Sequence, residues 1–325
     1  MCIFTQPVVS VMDTNIFARL LPDGWQYLVY QMQFETQQNN AMVLPVPVQQ
    51  PSRDTGSMEF ISLKENEGFF KDLDKGFPLA VPPKRRGARS WDKAVDSDMS
   101  QLQVHEVGDF IASYVPTLAD FSRLDEQFRV PQDSWDQIPQ YSDYGFAVFQ
   151  LKTLKGKPHP MAFKFKSRLI GPNQKSVFFP TVHIHDGEVH DLEEFDHALF
   201  LQAPEFDRLC GPYRQRRRLV TDKATGYVRS KWTADRFCDI DACQGIVDKD
   251  GLVHRLEMQG RMKNQDVLAD LQAIERNKQS SLLPQSSLFW IGGIAGIAGM
   301  KWFFDRRTLV SQAGQGKASR HDEVT

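Results

Sequence analysis

Apolar and polar positions alternate early in the chain. In NIFARLL and WQYLVYQMQFE, Tyr30, Met32 and Phe34 alternate with Gln31, Gln33 and Glu35, and Pro22-Asp23-Gly24 separates the two segments. The pattern predicts an antiparallel hairpin with one wet face. After the polar TQQNN comes AMVLPVPV, whose alternating prolines lack the N–H that a ladder needs, so it is expected at a sheet edge or where a strand leaves the sheet. Residues 51–100 hold short apolar pieces (EFISL, GFF, FPLAV) followed by PPKRRGARSWDKAVDSDMS, and read as a loop-rich connection. Helical spacing returns in TLADFSRLDEQF, with Thr117 as the cap, Asp120 at the third helical position, and Leu118, Phe121, Leu124 and Phe128 as the buried stripe. From Tyr144 onward YGFAVFQLKTL, MAFKFKSRLI, SVFFPTVHIH and EVHDL, parted by KGKPHP, GPNQ and DG, predict an antiparallel meander. HALFLQ, the segment around GYVRSKW, and the hairpin GIVDKDGLVHRLEMQG turning at Asp250-Gly251 add further strands. A second helix is expected from Gln265 to Arg276, capped by Asn264, with Val267, Leu268, Leu271 and Ile274 on one side.

These elements divide the chain into an N-terminal β-hairpin region (1–50), a loop-rich connection (51–100) and a β-rich α+β body (101–280). The expected fold class is α+β, mainly antiparallel β-sheet with a few helices and a C-terminal transmembrane helix. That helix is assigned to 287–304, where LFWIGGIAGIAGMKWFF is apolar apart from Lys301 and precedes a polar tail, 305–325. Its length is at the short end of the ~17–25 residues that span a bilayer. Gly292, Gly296 and Gly299 weaken a helix in water but let two membrane helices approach, and Trp290 and Trp302 lie near opposite ends, where interfacial rings belong. The expected partner is therefore a membrane, crossed once, with self-association through the small residues. Arg306, Arg307, Lys317 and Arg320 favour a cytoplasmic tail and hence a body on the other side. MCIFTQPVVSVMD lacks the basic and apolar regions of a signal peptide, so export has no support from that end.

Composition narrows the function classes. Among 325 residues, 39 Lys and Arg stand against 41 Asp and Glu; this balance lacks the basic excess of a duplex-binding protein, so no nucleic acid is expected. The clusters Lys84-Arg85-Arg86 with Arg89, and Arg214 with Arg216-Arg217-Arg218, read as solvated loop charge, with phosphate or anionic headgroups as the alternative. No phosphate-cradling loop, nucleophile elbow or dinucleotide fingerprint is present. Cys2, Cys210, Cys238 and Cys243 are too few for a disulfide scaffold, lack CxxC spacing, and are expected as free thiols.

The densest polar group is TVHIHDGEVHDLEEFDH. If Asp186-Gly187 is a two-residue hairpin turn, His183 lies opposite His190 and His185 opposite Glu188, and all four side chains project from one face while Val182, Ile184 and Val189 project from the other. Three imidazoles and a carboxylate are ligand types that zinc or another divalent metal prefers, so His183, His185, Glu188 and His190 form the candidate metal site. Asp196 and His197 are available as further ligands or as partners that orient a ring. The alternative is a solvated face of an amphipathic hairpin. Cys2 is a second candidate: with Met1 removed, its own amino group would serve as base for the thiol. The opening resembles class II glutamine amidotransferases, but Ile3 stands where those continue with glycine or arginine.

Cys2, AMVLPVPV, YGFAVFQLK, HPMAFKFKSR and VFFPTVHIHDGEVH together resemble a bacterial family of unknown function whose members begin near a cysteine, carry a VLPVP-type strand and often end in a membrane helix. The resemblance covers scattered strands between about residues 2 and 200 and brings no assigned activity. It implies an envelope-exposed domain on a C-terminal anchor. Three function classes follow: a membrane-anchored binding or structural protein, a metal-dependent enzyme using the histidine hairpin, and an N-terminal cysteine hydrolase.

Overall fold

The computed structural model describes residues 2–50, 55–78, 105–171, 174–214 and 219–282. The assigned transmembrane segment 287–304, the tail and the Lys84–Arg89 cluster lie outside them. No helix among the described residues is long and apolar enough to cross a membrane.

In chain order the described strands are β1 Cys2–Phe4, β2 Val8–Leu20, β3 Trp25–Thr36, β4 Ala41–Val46, β5 Met58–Ser62, β6 His105–Val107, β7 Phe110–Val115, β8 Gly145–Leu151, β9 Lys155–Gly156, β10 Met161–Lys166, β11 Ile170–Gly171, β12 Gln174–Phe179, β13 His183–Ile184, β14 Leu192–Gln202, β15 Val228–Thr233, β16 Leu252–Lys263 and β17 Val267–Asp270. The α-helices are α1 Phe69–Lys75, α2 Gln132–Asp136, α3 Pro204–Leu209 and α4 Leu271–Leu282. The chain is thus a mainly β, α+β protein. One sheet runs β13-β1-β4-β8-β7-β6, a second β15-β16-β14-β2-β3-β10-β5, and a third β11-β12-β17. Pairing is antiparallel except for β1 with β13 and β2 with β14.

The expected hairpin forms as β2 and β3, closed where Trp25 O accepts from Leu21 N–H (2.8 Å) and Gly24 takes φ +88°, a value that suits a residue without Cβ. It has no wet face. Ile16, Ala18, Tyr30 and Met32 face the main core, whereas Phe17 and Val29 pack with Phe200 into a second cluster under Phe69, Phe70, Leu73 and Phe77. Covering the second face buries Gln31 as well, and its amide donates to Pro158 O (2.8 Å). The EFISL and GFF pieces of the expected loop region become β5 and α1.

The proline strand is interior, contrary to expectation. All six residues of β4 are buried between β1 and β8, and Pro45 is accommodated because it lies past the end of the three-residue β1, which pairs only with Met42 and Val43. The expected meander is dealt into three sheets: β8 joins β4 and β7, β10 joins β3 and β5, and β12 joins β11 and β17. Apart from the local β11–β12 pairing at GPNQ, these strands pair with segments remote in the chain, such as β8 with β4, β10 with β5 and β12 with β17. The Thr117 helix is instead two short 3-10 turns, 118–123 and 126–128. They break at Leu124, which is extended, and Asp125 caps the second by accepting from Gln127 N–H (3.1 Å).

Asp250-Gly251 does not join a hairpin: Ile246 and Val247 pack into the second core without forming a strand, and β16 pairs with β14 and β15. The second helix begins later than expected. Val267 to Asp270 is a strand, and Asp270 caps α4 by accepting from Gln272 N–H (3.0 Å) and Ala273 N–H (2.9 Å).

Candidate functional site

The site lies where two strands part. β14 stays laddered to β16 from Leu192 onward, but its parallel pairing with β2 begins only at Ala198 opposite Asn15. Just before that point β2 is irregular, between Met12 and Asn15, and Asp13 takes φ +53°, so the strand bulges away. The bulge is tied back by Asp196 Oδ2, which accepts from Asp13 N–H (2.6 Å). A cavity of about 230 Å³ opens in the gap, its lining including Val11 and Thr14 from β2 and Phe195 and His197 from β14.

β13 brings in the remaining imidazoles. Cys2 and Ile3 pair in parallel with His183 and Ile184, and Val8 N–H donates to His185 O (2.9 Å). Asn264, released from the capping role expected of it, clamps the strand: its Oδ1 accepts from His183 N–H (2.7 Å) and its Nδ2 donates to His183 O (2.9 Å). His183 is then sandwiched between rings, 4.5 Å from Phe195 and 4.9 Å from His185. Its Nε2 is 2.9 Å from His197 Nε2.

Burial sets the electrostatics. Removal from water disfavours imidazolium, pushing His185 and His197 down to about 4 and His183 still lower. Asp196 opposes this at His197 from 3.4 Å without reaching hydrogen-bond geometry, and burial prevails. All three rings are neutral near pH 7. Thr14 Oγ1, His183 Nδ1, His185 Nε2 and His197 Nδ1 are buried without a hydrogen-bond partner, and all four residues line the cavity.

The expected constellation His183, His185, Glu188 and His190 is not assembled. Glu188 N–H donates to Asp186 Oδ1 (3.0 Å) and His190 pairs with Asp186 Oδ2 (2.9 Å), so Asp186-Gly187 forms a local side-chain-closed turn rather than a two-residue hairpin. Glu188 and His190 are exposed, and Asp186 raises the His190 pKa. The structure puts His183, His185 and His197 together in their place. Among the described residues no group of three or more His, Cys, Asp and Glu side chains is arranged to hold a metal ion. Thr14 carried no signal in the sequence.

Cys210, Cys238 and Cys243 are buried free thiols. Burial pushes Cys243 up to about 11 and Cys238 higher, the signature of unreactive thiols.

No family model matches the chain. Among solved structures, the crystal structure of baculovirus P35 is similar over 80% of this chain and 96% of its own, at 13% identity and a TM-score of 0.43. P35 in its complex with caspase-8 is similar over 80% and 96%, at 13% identity and 0.40. A mutated P35 after caspase cleavage is similar over 81% and 98%, at 13% and 0.39. Likenesses at these TM-scores do not fix the activity of this chain.

Proposed function

We propose that the chain is a β-rich binding protein, held to a membrane by residues 287–304, whose ligand site is the cavity between β2, β13 and β14. One observation supports the ligand site: of the twelve buried polar side-chain atoms without a hydrogen-bond partner among the described residues, four belong to residues lining that one cavity. A folded chain normally satisfies such atoms, because each one left unpaired costs about 1–3 kcal/mol, and a ligand that satisfies them recovers that cost on binding. Native mass spectrometry of the gently purified full chain tests the reading. A small bound molecule is expected, and it is lost in Thr14→Val and His197→Phe; a bare chain whose melting temperature is unchanged by exhaustive dialysis contradicts it.

The anchor rests on the apolar run and its flanking tryptophans. Full-length protein should resist alkaline carbonate extraction, and Ile297→Arg should release it, since a central arginine costs about 2.5–3.5 kcal/mol in insertion. Wild-type protein found wholly soluble removes the anchor.

A second reading is favoured by backbone register. Cys2 and His183 are register partners in adjacent parallel strands, which places the second candidate of the sequence on the strand paired with one wall of the cavity. A covalent adduct of a glutamine-analogue electrophile, present in wild type and absent in Cys2→Ser, supports it; equal labelling of both removes it.

A further inference from the structure

Two imidazoles that meet nitrogen to nitrogen determine what each has left to offer. His183 Nε2 and His197 Nε2 lie 2.9 Å apart, and burial keeps both rings neutral near pH 7, so one nitrogen donates and the other accepts. The ring that donates at Nε2 has a lone pair at Nδ1, and the ring that accepts carries its proton there. Whichever ring donates, the pair is left with one N–H and one lone pair, and both Nδ1 atoms are buried without a partner. Thr14, 1% exposed, adds a hydroxyl that can both donate and accept, and half-buried His185 adds its Nε2, each without a partner.

Formal charge does not suit this set. Burial and the chain's N-terminal ammonium both disfavour a positive charge at the three rings. An anion finds no lysine or arginine among the lining residues. The two carboxylates that line the cavity, Glu194 and Asp196, are exposed, and Asp196 already accepts from Asp13 N–H. An ion that left water for this space would keep its desolvation cost uncompensated. A metal finds no three ligand groups arranged for it among the described residues. An uncharged group that both donates and accepts meets the leftover N–H and the leftover lone pair without that cost. Phe195, 3% exposed, supplies an apolar wall. At about 230 Å³ the space is smaller than the ~300–1,000 Å³ that drug-sized ligands fill.

We propose that this cavity binds a small uncharged molecule through a group that is both hydrogen-bond donor and acceptor, a carboxamide or a hydroxyl. The proposal rests on the reading of the cavity as a ligand site and adds the ligand's chemical class.

The test is titration of the full-length protein at pH 7.5 with four probes of similar size, followed by histidine ring NMR signals. The probes are propionamide, 1-propanol, n-propylammonium chloride and sodium propionate at matched ionic strength. Saturable shifts at His183 and His197 are expected with an uncharged probe and with neither ion. Tighter binding of propionamide assigns the carboxamide and tighter binding of propanol the hydroxyl; either supports the class. Thr14→Val should weaken binding on the order of tenfold, the size of one hydrogen bond, whereas Thr14→Ser keeps the hydroxyl and should retain it. Equal affinity in wild type and Thr14→Val, or equal loss in both variants, overturns the proposal. Long-range proton–nitrogen spectra of the free protein should show opposite tautomers at His183 and His197. The same tautomer in both rings removes the leftover donor and acceptor and also overturns it. Saturation by propylammonium or propionate alone overturns the class and leaves the binding reading standing. Silence from all four probes up to about 50 mM, far weaker than ordinary small-ligand binding, overturns both.

Discussion

A histidine that stays neutral in the folded chain but takes up a proton when unfolded makes stability depend on pH. His185 and His197 hold off protonation until about pH 4, whereas an unfolded histidine titrates near 6.5. In that window the unfolded state binds more protons, so stability should fall as pH is lowered from about 6.5 toward 4, by up to about 1.4 kcal/mol per pH unit for each ring. Asp266, whose pKa burial raises, acts in the opposite sense at the acid end. Urea unfolding at several pH values should show the decline, and His197→Phe should make it shallower; an unchanged slope would place that ring in water. Asp266 also predicts a local cost. Its carboxylate accepts from Tyr141 O–H (2.7 Å), Thr181 N–H (2.9 Å) and Val182 N–H (3.2 Å). Asp266→Ala leaves three donors unpaired and should cost several kcal/mol, at about 1–3 each, with Asp266→Asn milder in the same denaturation assay. The sequence exposed His183 and His185 as notable by their density. It did not show that His197, fourteen positions on, replaces His190, since that depends on β13 pairing with β1.

Local chemistry fixes some elements and leaves others to long-range partners. The β2–β3 hairpin was legible because Pro22-Asp23-Gly24 closes it within the segment itself. Partner choice for β8, β10 and β12 was not, because apolar strands buried on both faces carry no mark of which remote strand they join. The caps illustrate the same division. Asn264 and Asp270 both precede apolar residues at helical spacing, and only packing shows that Asp270 caps α4 while Asn264 holds His183. Asp270→Ala should therefore lower stability by about 0.5–2 kcal/mol without moving the His183 resonances. Asn264→Ala should shift those resonances strongly, and NMR spectra of the two variants separate the roles. Equal disturbance of His183 by both would return Asn264 to the helix.

Taken as a molecule, the chain uses its central sheet twice. One face builds the main core and the other the second cluster beneath α1, and the parting of β2 from β14 leaves one polar gap within that apolar construction. The α+β, mainly β character was readable from strand-forming runs; the gap was not, because it arises from a bulge in one strand and the late pairing of another. Three neutral imidazoles meet at this gap, His183 and His197 buried and His185 half-buried, with His190 outside in water. Proton NMR titration of the assigned histidine ring signals tests this directly. His190 should titrate above its ordinary 6.5, held by Asp186, while His185 and His197 remain neutral down to about 4 and His183 lower still. Titration of all four together near 6.5 would contradict the buried site and restore the solvated hairpin.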